Sequence, residues 1–299
     1  MRVVLFFIDG LGLAPESVNN PLATTPTPHL NLLLDGRNLC LETVGFRNSL
    51  ATLKSLDATL GVAGCPQSAT GQTTLFTGIN ASAAVGCHVR GFPNAKLRKI
   101  LSSEGILKKI KDAGFSPTFL NCYRPDFFAE LSAGKKFFSA TTMLNYYAGL
   151  PFRTLEDLVS GDGVYSDISC ELVRSLGYDV PLVTPELAGE RLARVAQRFD
   201  FLLFEHFLTD VTGHKRDRDK AAYLIHTIDR FIGSMLAHLD LQRTLLVVTS
   251  DHGNLEDISS GTHTRNPVPL LLVGGYQEVP LPVSDLTGVA PMIMHCLGA

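Results

Sequence analysis

Three uninterrupted apolar runs stand out along the chain, Val3–Ile8, Phe201–Phe204 and Leu245–Val248, with a fourth at Leu270–Val273. A run that is apolar at every position predicts a strand buried on both faces, the pattern of a parallel sheet. Each of the first three soon meets an acidic residue: Asp9 directly, Asp210 six residues on, and Asp251 three residues on. Ligands of α/β sheets collect beyond the carboxyl ends of parallel strands, so these three carboxylates can converge despite their separation in sequence. Between the second and third runs, Ala221, Ile225, Ile228, Ile232, Met235, Leu236 and Leu239 recur at spacings of three and four, which predicts an amphipathic crossover helix. A closing helix is predicted within Val283–Leu297, behind the start signal Ser284-Asp285.

The middle of the chain has a different texture. It carries the basic stretch Lys96–Lys111, the aromatic Asn145-Tyr146-Tyr147 and the loop Ser160-Gly161-Asp162-Gly163. The expected division is a catalytic core of residues 1–90 and 186–299 with an inserted lid or cap at 91–185. Within the insert, Ile106–Ala113 followed by Phe115–Leu120 also has the form of an ordinary helix–strand unit of the core sheet.

Composition narrows the function. The 299 residues are 45% hydrophobic and 18% charged, enough for a large core, and the net charge of -3 argues against a general nucleic-acid binder. The six cysteines, Cys40, Cys65, Cys87, Cys122, Cys170 and Cys296, form no C-x-x-C pair and no regular spacing, which disfavours a disulfide framework or a zinc knuckle. No segment reaches the ~18 to 20 consecutive apolar residues of a membrane span. The apolar run after Met1-Arg2 is short and ends at Asp9 without a small-residue cleavage site, so it reads as a strand and the protein as cytoplasmic.

The strongest local chemistry is Ser250-Asp251-His252-Gly253-Asn254 at a strand end, where adjacent oxygen and nitrogen donors can share a divalent metal. Asp210-Val211-Thr212-Gly213-His214 places a carboxylate and an imidazole four residues apart, and Thr262-His263-Thr264 adds another imidazole. Taken singly, each is also compatible with a turn or a solvated side chain, and Asp9-Gly10 with an ordinary turn. Together they supply three Asp and three His, a donor set suited to two divalent cations. Pro66-Gln67-Ser68-Ala69-Thr70-Gly71-Gln72 can begin a helix at Ser68, placing its hydroxyl at the positive end where phosphate binds; a plain helix-capping serine is the alternative. Gly10-x-Gly12 lacks the third glycine of a dinucleotide fingerprint, because Pro15 occupies that place.

The ordered set Asp9-Gly10, Ser68-Ala69-Thr70-Gly71, Asp210-x-x-Gly213-His214, Asp251-His252-Gly253-Asn254 and His263-Thr264 closely resembles the alkaline phosphatase superfamily. Within it, the resemblance is to the metalloenzyme branch that holds cofactor-independent phosphoglycerate mutase and phosphopentomutase. It covers roughly residues 1 to 85 and 190 to 299. It implies an α/β fold, an alkaline-phosphatase-like three-layer sandwich with a mostly parallel sheet and a small inserted lid. It also implies two divalent metal ions, Mn or Zn foremost and Mg as an option. One would be held by Asp9, Asp251, His252 and the Ser68 oxygen, the other by Asp210, His214 and His263. Ser68 would be the nucleophile, with Thr70 as the alternative and a candidate substrate contact.

The implied activity is a metal-dependent phosphotransferase, either phosphatase or phosphomutase, that works through a phosphoserine on a small phosphorylated metabolite, with no nucleic-acid or membrane partner. The alternatives are a phosphodiesterase or other ester hydrolase of the same superfamily, or a non-catalytic phospho-ligand-binding protein. A sulfatase falls behind because the Ser68 stretch lacks its Pro and Arg. Gln72 stands where both mutases have His, which leaves mutase against hydrolase open. Arg90 and Arg124, with Lys96 and Arg98, are candidates to clamp a second anionic group. Oligomeric state is not legible in the sequence.

Overall fold

The computed structural model describes residues 1–135, 137–274 and 283–299. Its centre is a six-stranded sheet built from β1 (Arg2–Ile8), β2 (Ala51–Leu56), β3 (Pro117–Phe119), β4 (Phe201–His206), β5 (Thr244–Thr249) and β6 (Val268–Val273). The strands lie in the order β2-β6-β5-β1-β4-β3. The apolar runs that predicted strands form its interior: β1 is hydrogen-bonded in parallel to both β4 and β5, with Phe7 opposite Glu205 on one side and Thr249 on the other.

Alternation across the pleat divides these strands between two cores. Val4, Phe6, Ile8, Leu202, Phe204, Leu246 and Val248 face one apolar cluster, closed by the helices Pro185–Ala196 and Arg218–His238. Val3, Leu5, Phe7, Phe201, Leu203, Leu245 and Val247 face the other, closed by Ile106–Asp112, Ala140–Tyr147 and Val289–Leu297. The result is the three-layer α/β sandwich expected from the sequence.

The fourth apolar run departs from expectation. β6 runs antiparallel to β5, with Thr249 opposite Leu270, rather than as another parallel strand. An apolar run reports burial on both faces and carries no direction. The reversal has a consequence for the site: the amino-terminal end of β6, and with it the preceding loop containing His263, lies at the same edge as the carboxyl ends of β1, β4 and β5.

Within 91–185, Ile106–Asp112 and β3 form the helix–strand unit, and β3 pairs in parallel with β4 at the sheet edge. That part of the expected lid is therefore core. The basic stretch is two helices, Ala95–Glu104 and Ile106–Asp112, separated at Gly105, whose Cβ would lie 2.5 Å from the Leu101 carbonyl oxygen. At the closing helix, Asp285 accepts the Thr287 N–H at 2.8 Å before Val289–Leu297 begins. Among the described residues, no helix is long and apolar enough to cross a membrane.

Candidate metal centre

Asp9 follows β1 and its N–H donates to the His206 carbonyl at 2.9 Å, extending the β1–β4 ladder by one step. Asp251 and His252 leave β5 through a turn pinned by Ser250, whose hydroxyl accepts the Leu11 N–H at 2.9 Å and donates to the His252 carbonyl at 3.0 Å. Gly10 adopts φ +70°, and a Cβ there would lie 2.8 Å from the Asp210 side chain. Only glycine lets the loop after β1 approach Asp210 this closely.

Ser68 opens the helix Ser68–Thr77, and Gln67, not Ser68, is the residue before its first turn. The capping alternative is thereby answered, because the Ser68 hydroxyl lies 3.0 Å from His252 Nε2. From Ala69 to Thr77 this helix is buried, although its sequence is polar. Thr73, Thr74 and Thr77 satisfy their hydroxyls on carbonyls four residues back, at 2.6, 2.8 and 2.6 Å. Gly71 allows the close packing: a Cβ there would sit 2.8 Å from the Asp251 carbonyl oxygen.

Two groups of potential ligands result, Asp9 with Asp251 and His252, and Asp210 with His214 and His263, and in each the donor atoms lie within 4.8 Å of one another. In the first, His252 Nε2 lies 3.3 Å from Asp9 Oδ1 and 3.4 Å from Asp251 Oδ2. In the second, Asp210 lies 3.4 Å from His214 Nε2 and 3.2 Å from His263 Nε2. The His252 and His263 rings stack with centroids 3.8 Å apart, so the groups adjoin.

Both groups fit divalent cations on the donors' own hydrogen bonding. Asp9 Oδ1 and Asp251 Oδ2 are buried without a hydrogen-bond partner. Each histidine donates Nδ1–H to a backbone carbonyl: His263 to Pro66 at 2.8 Å, His214 to Gly261 at 3.1 Å and, more weakly, His252 to Gly253 at 3.4 Å. That arrangement fixes the tautomer and leaves Nε2 as the ligand atom.

The electrostatics show the same demand for positive charge. Burial, then Asp251, push the Asp9 carboxyl well above the usual carboxylate range, against the pull of His252. Burial opposes a charge on His252, but Asp251 and Asp9 overcome it and push the imidazole up to about 10. Burial likewise opposes ionisation of Asp210, but His263, His252 and Asn254 overcome it and hold the carboxyl at about 2.

Other predicted residues fall elsewhere. The Thr70 hydroxyl donates to the Gln67 carbonyl at 3.1 Å and accepts the Val89 N–H at 3.2 Å, so it is spent on local backbone and does not line the cleft beside Ser68. Arg90 remains exposed, and the following Gly91 and Phe92 line that cleft in its place. Lys96 is bonded to the Ala84 carbonyl and Arg98 donates to that of Pro93 at 2.9 Å. Arg124 does line the cleft, 3.5 Å from Asp126.

Four side chains support the site through contacts not read from the sequence, although Gln72 and Asn254 were named there for other reasons. Gln72 donates to Asp9 Oδ2 at 3.0 Å, and Asn254 donates to Asp210 Oδ1 at 2.7 Å. Glu256 ties the loops together: it accepts Gly12 N–H at 2.9 Å, Asn254 N–H at 2.7 Å, the Asn266 amide at 3.0 Å and the Thr264 hydroxyl. Its place two residues beyond Asn254 was visible, but its burial was not. Glu256→Ala leaves these donors unpaired and is expected to cost about 3 to 5 kcal/mol, with about 10- to 100-fold weaker metal binding. Urea unfolding and metal titration check both, and an unchanged midpoint with unchanged affinity would refute the role.

The fourth, Glu205, breaks the apolar alternation Phe201, Leu203 at the end of β4. Burial pushes its carboxyl up to about 7, Thr141 opposing and Asp251 adding to the shift. The protonated form is favoured in the fold, so this contribution to stability is present below the unfolded value near 4.5 and is lost as pH rises through about 7. Relative to wild type, metal-free Glu205→Gln should therefore gain about 3 kcal/mol between pH 4.5 and 8. Urea unfolding across that range reads the gain, and a constant difference would contradict it.

The Metalloenzyme superfamily model matches residues 181–299, the span that contains Asp210, His214, Asp251, His252 and His263. That segment is similar in sequence to the metalloenzyme superfamily. A 2,3-bisphosphoglycerate-independent phosphoglycerate mutase of Dinoroseobacter shibae is 32% identical over 125 residues, 38% of this chain and 25% of that protein. The Thermococcus kodakarensis enzyme of the same name is 30% identical over 142 residues, covering 43% and 34%. The match thus spans a quarter to a third of these relatives' length.

Solved structures extend the likeness in fold across the chain. A Pyrococcus horikoshii protein has a TM-score of 0.62 at 16% identity, covering 99% of this chain and 96% of that one. A cold-active alkaline phosphatase from Shewanella sp. has 0.54 at 13%, covering 99% and 100%. Leishmania mexicana phosphoglycerate mutase has 0.53 at 12%, covering 99% and 95%. The fold is that of alkaline phosphatases, and the metalloenzyme-superfamily segment supplies five of the six Asp and His donors.

Proposed function

We propose that the protein is a dinuclear-metal phosphotransferase that moves the phosphoryl group of a small phosphorylated metabolite by way of Ser68. The observation that carries this reading is the position of the Ser68 hydroxyl. It stands at the start of a buried helix, 3.0 Å from His252 Nε2, and shares a cleft of about 690 Å³ with Asp9 and Asp210.

Asp9, Asp251, His252 and the Ser68 oxygen would hold one divalent cation, and Asp210, His214 and His263 the other. When bound, such cations lower the pKa of a ligating hydroxyl and offset charge on attacking and leaving oxygens. The mixed carboxylate–imidazole donor set suits Mn or Zn. Ser68 supplies the nucleophilic oxygen, and the amino-terminal end of its helix favours the negative charge of an incoming phosphate. Burial of Asp9, Asp251 and His252 keeps their fields unscreened by solvent.

On this reading the phosphoryl group passes to Ser68 with departure of the substrate alkoxide, and a second attack on phosphorus restores the serine. Water as second nucleophile makes the protein a phosphatase, and another substrate hydroxyl makes it a mutase. The substrate is a small molecule and the setting cytoplasmic on the same reading. Phosphorus NMR of sugar phosphates and phosphoglycerates with Mn- or Zn-loaded protein tests it. The expected result is free phosphate or a displaced resonance that disappears with Ser68→Ala; turnover that survives Ser68→Ala would overturn it.

A further inference from the structure

Glu205 lies in the cleft outside both groups of potential metal ligands. It is 7% exposed at the carboxyl end of β4 and lines the cleft that contains Ser68. Its backbone is held on both sides by one residue: Glu205 N–H donates to Asn121 Oδ1 at 2.9 Å, and Asn121 Nδ2 donates to the Glu205 carbonyl at 2.8 Å. Thr141 donates to Oε2 at 2.6 Å, which orients the carboxyl group.

Two carboxylates elsewhere on the cleft wall have cationic partners, Asp126 with Arg124 at 3.5 Å and Glu130 with Lys135 at 2.7 Å. Among the described residues Glu205 has none within ion-pair distance, and no hydrogen bond engages its Oε1. In the same lining Tyr123, Ser139 and Thr142 are joined through hydroxyl contacts of 2.7 and 2.8 Å, with the rings of Phe127 and Phe138, while Asp251 adds negative charge near the carboxyl and Arg124 stands on the cleft wall already paired with Asp126. Ionised, as it is above about pH 7, a buried acid with one open oxygen among aromatic walls and hydroxyls is suited to accepting from a substrate O–H and repels a second anion.

We propose that Glu205 is a specificity residue that accepts a hydrogen bond from a hydroxyl on the organic part of the substrate, so that the cleft favours phosphate esters of neutral polyols over phosphoglycerates. This rests on the phosphotransferase reading and adds to it a discrimination made by this chain's own cleft wall. The expected preference differs from the substrate in the name of its sequence relatives, phosphoglycerate mutases.

Glycerol 1-phosphate and 3-phosphoglycerate are the probes, since they share a three-carbon skeleton and differ in hydroxymethyl against carboxylate. At pH 8, metal-loaded wild type should favour glycerol phosphate about tenfold or more in kcat/KM, and Glu205→Gln should cut that preference about tenfold, chiefly by lowering KM for phosphoglycerate. Thr141→Val, which frees Oε2, should shift the ratio in the same direction. Calorimetric binding of both probes is measured in parallel with metal-loaded Ser68→Ala, with and without Glu205→Gln.

A purely structural role would lower activity on both probes without altering their ratio. A wild-type preference for phosphoglycerate, or ratios within twofold among the variants in both kinetics and binding, overturns the proposal. Absence of turnover with the binding preference intact would instead count against the phosphotransferase reading and support the role of Glu205.

Discussion

Ser68→Ala is expected to keep the fold and lose about 10³-fold or more of the phosphoryl-transfer rate. The hydroxyl takes no part in the helix cap, and the helix behind it is anchored independently by Gly71 against Asp251 and by its threonines. Truncation therefore removes one oxygen from the cleft and little from the core. Circular dichroism and thermal melting should match wild type, while phosphorus NMR shows the loss. Thr70→Val, by contrast, should leave turnover within a few-fold, because Thr70 serves the backbone of Gln67 and Val89. A large loss at Thr70 with small loss at Ser68 would reverse the assignment.

The second large effect is metal-dependent stability. Asp9 and Asp251 are buried near one another with unpartnered oxygens, and a cation that binds only the folded chain stabilises it by mass action. Mn or Zn at about 100 times its dissociation constant should add roughly 2.7 kcal/mol per site, a gain reversed by a chelator. Asp251→Asn should abolish the increment of the first site and Asp210→Asn that of the second. Equilibrium unfolding with and without metal reads both. If stability responds to neither metal, or both variants respond as wild type does, the two groups are not metal sites.

Much of this arrangement was legible because the strongest signals are local. β1, β4 and β5 declare themselves as unbroken apolar runs, and the acids beyond them converge because the strands are parallel neighbours. The long helix was readable from its stripe and extends over Arg218–His238. β2 was not read: in Ala51–Leu56 the polar Thr52, Lys54 and Ser55 interrupt the apolar run at a sheet edge, where burial is less complete.

The direction of β6 was hidden because antiparallel and parallel burial look alike in a short apolar run. Glu205 and Glu256 were hidden for a related reason. A lone acid after a strand or in a loop looks solvated until its partners, distant in sequence, are known: Asn121 and Thr141 for one, Gly12 and Asn266 for the other. The Ser68 helix shows the converse, a polar sequence buried because its hydroxyls bond to their own backbone.

The central claim is that Ser68 carries the phosphoryl group during turnover. The most direct measurement is acid quenching of metal-loaded protein during reaction with a substrate found by phosphorus NMR, followed by peptide mass spectrometry. A phosphoryl group is expected on the peptide containing Ser68, localised to Ser68 and absent from Ser68→Ala. Sustained turnover with the phosphoryl group on Thr70, or with none on this peptide at any quench time, would contradict it.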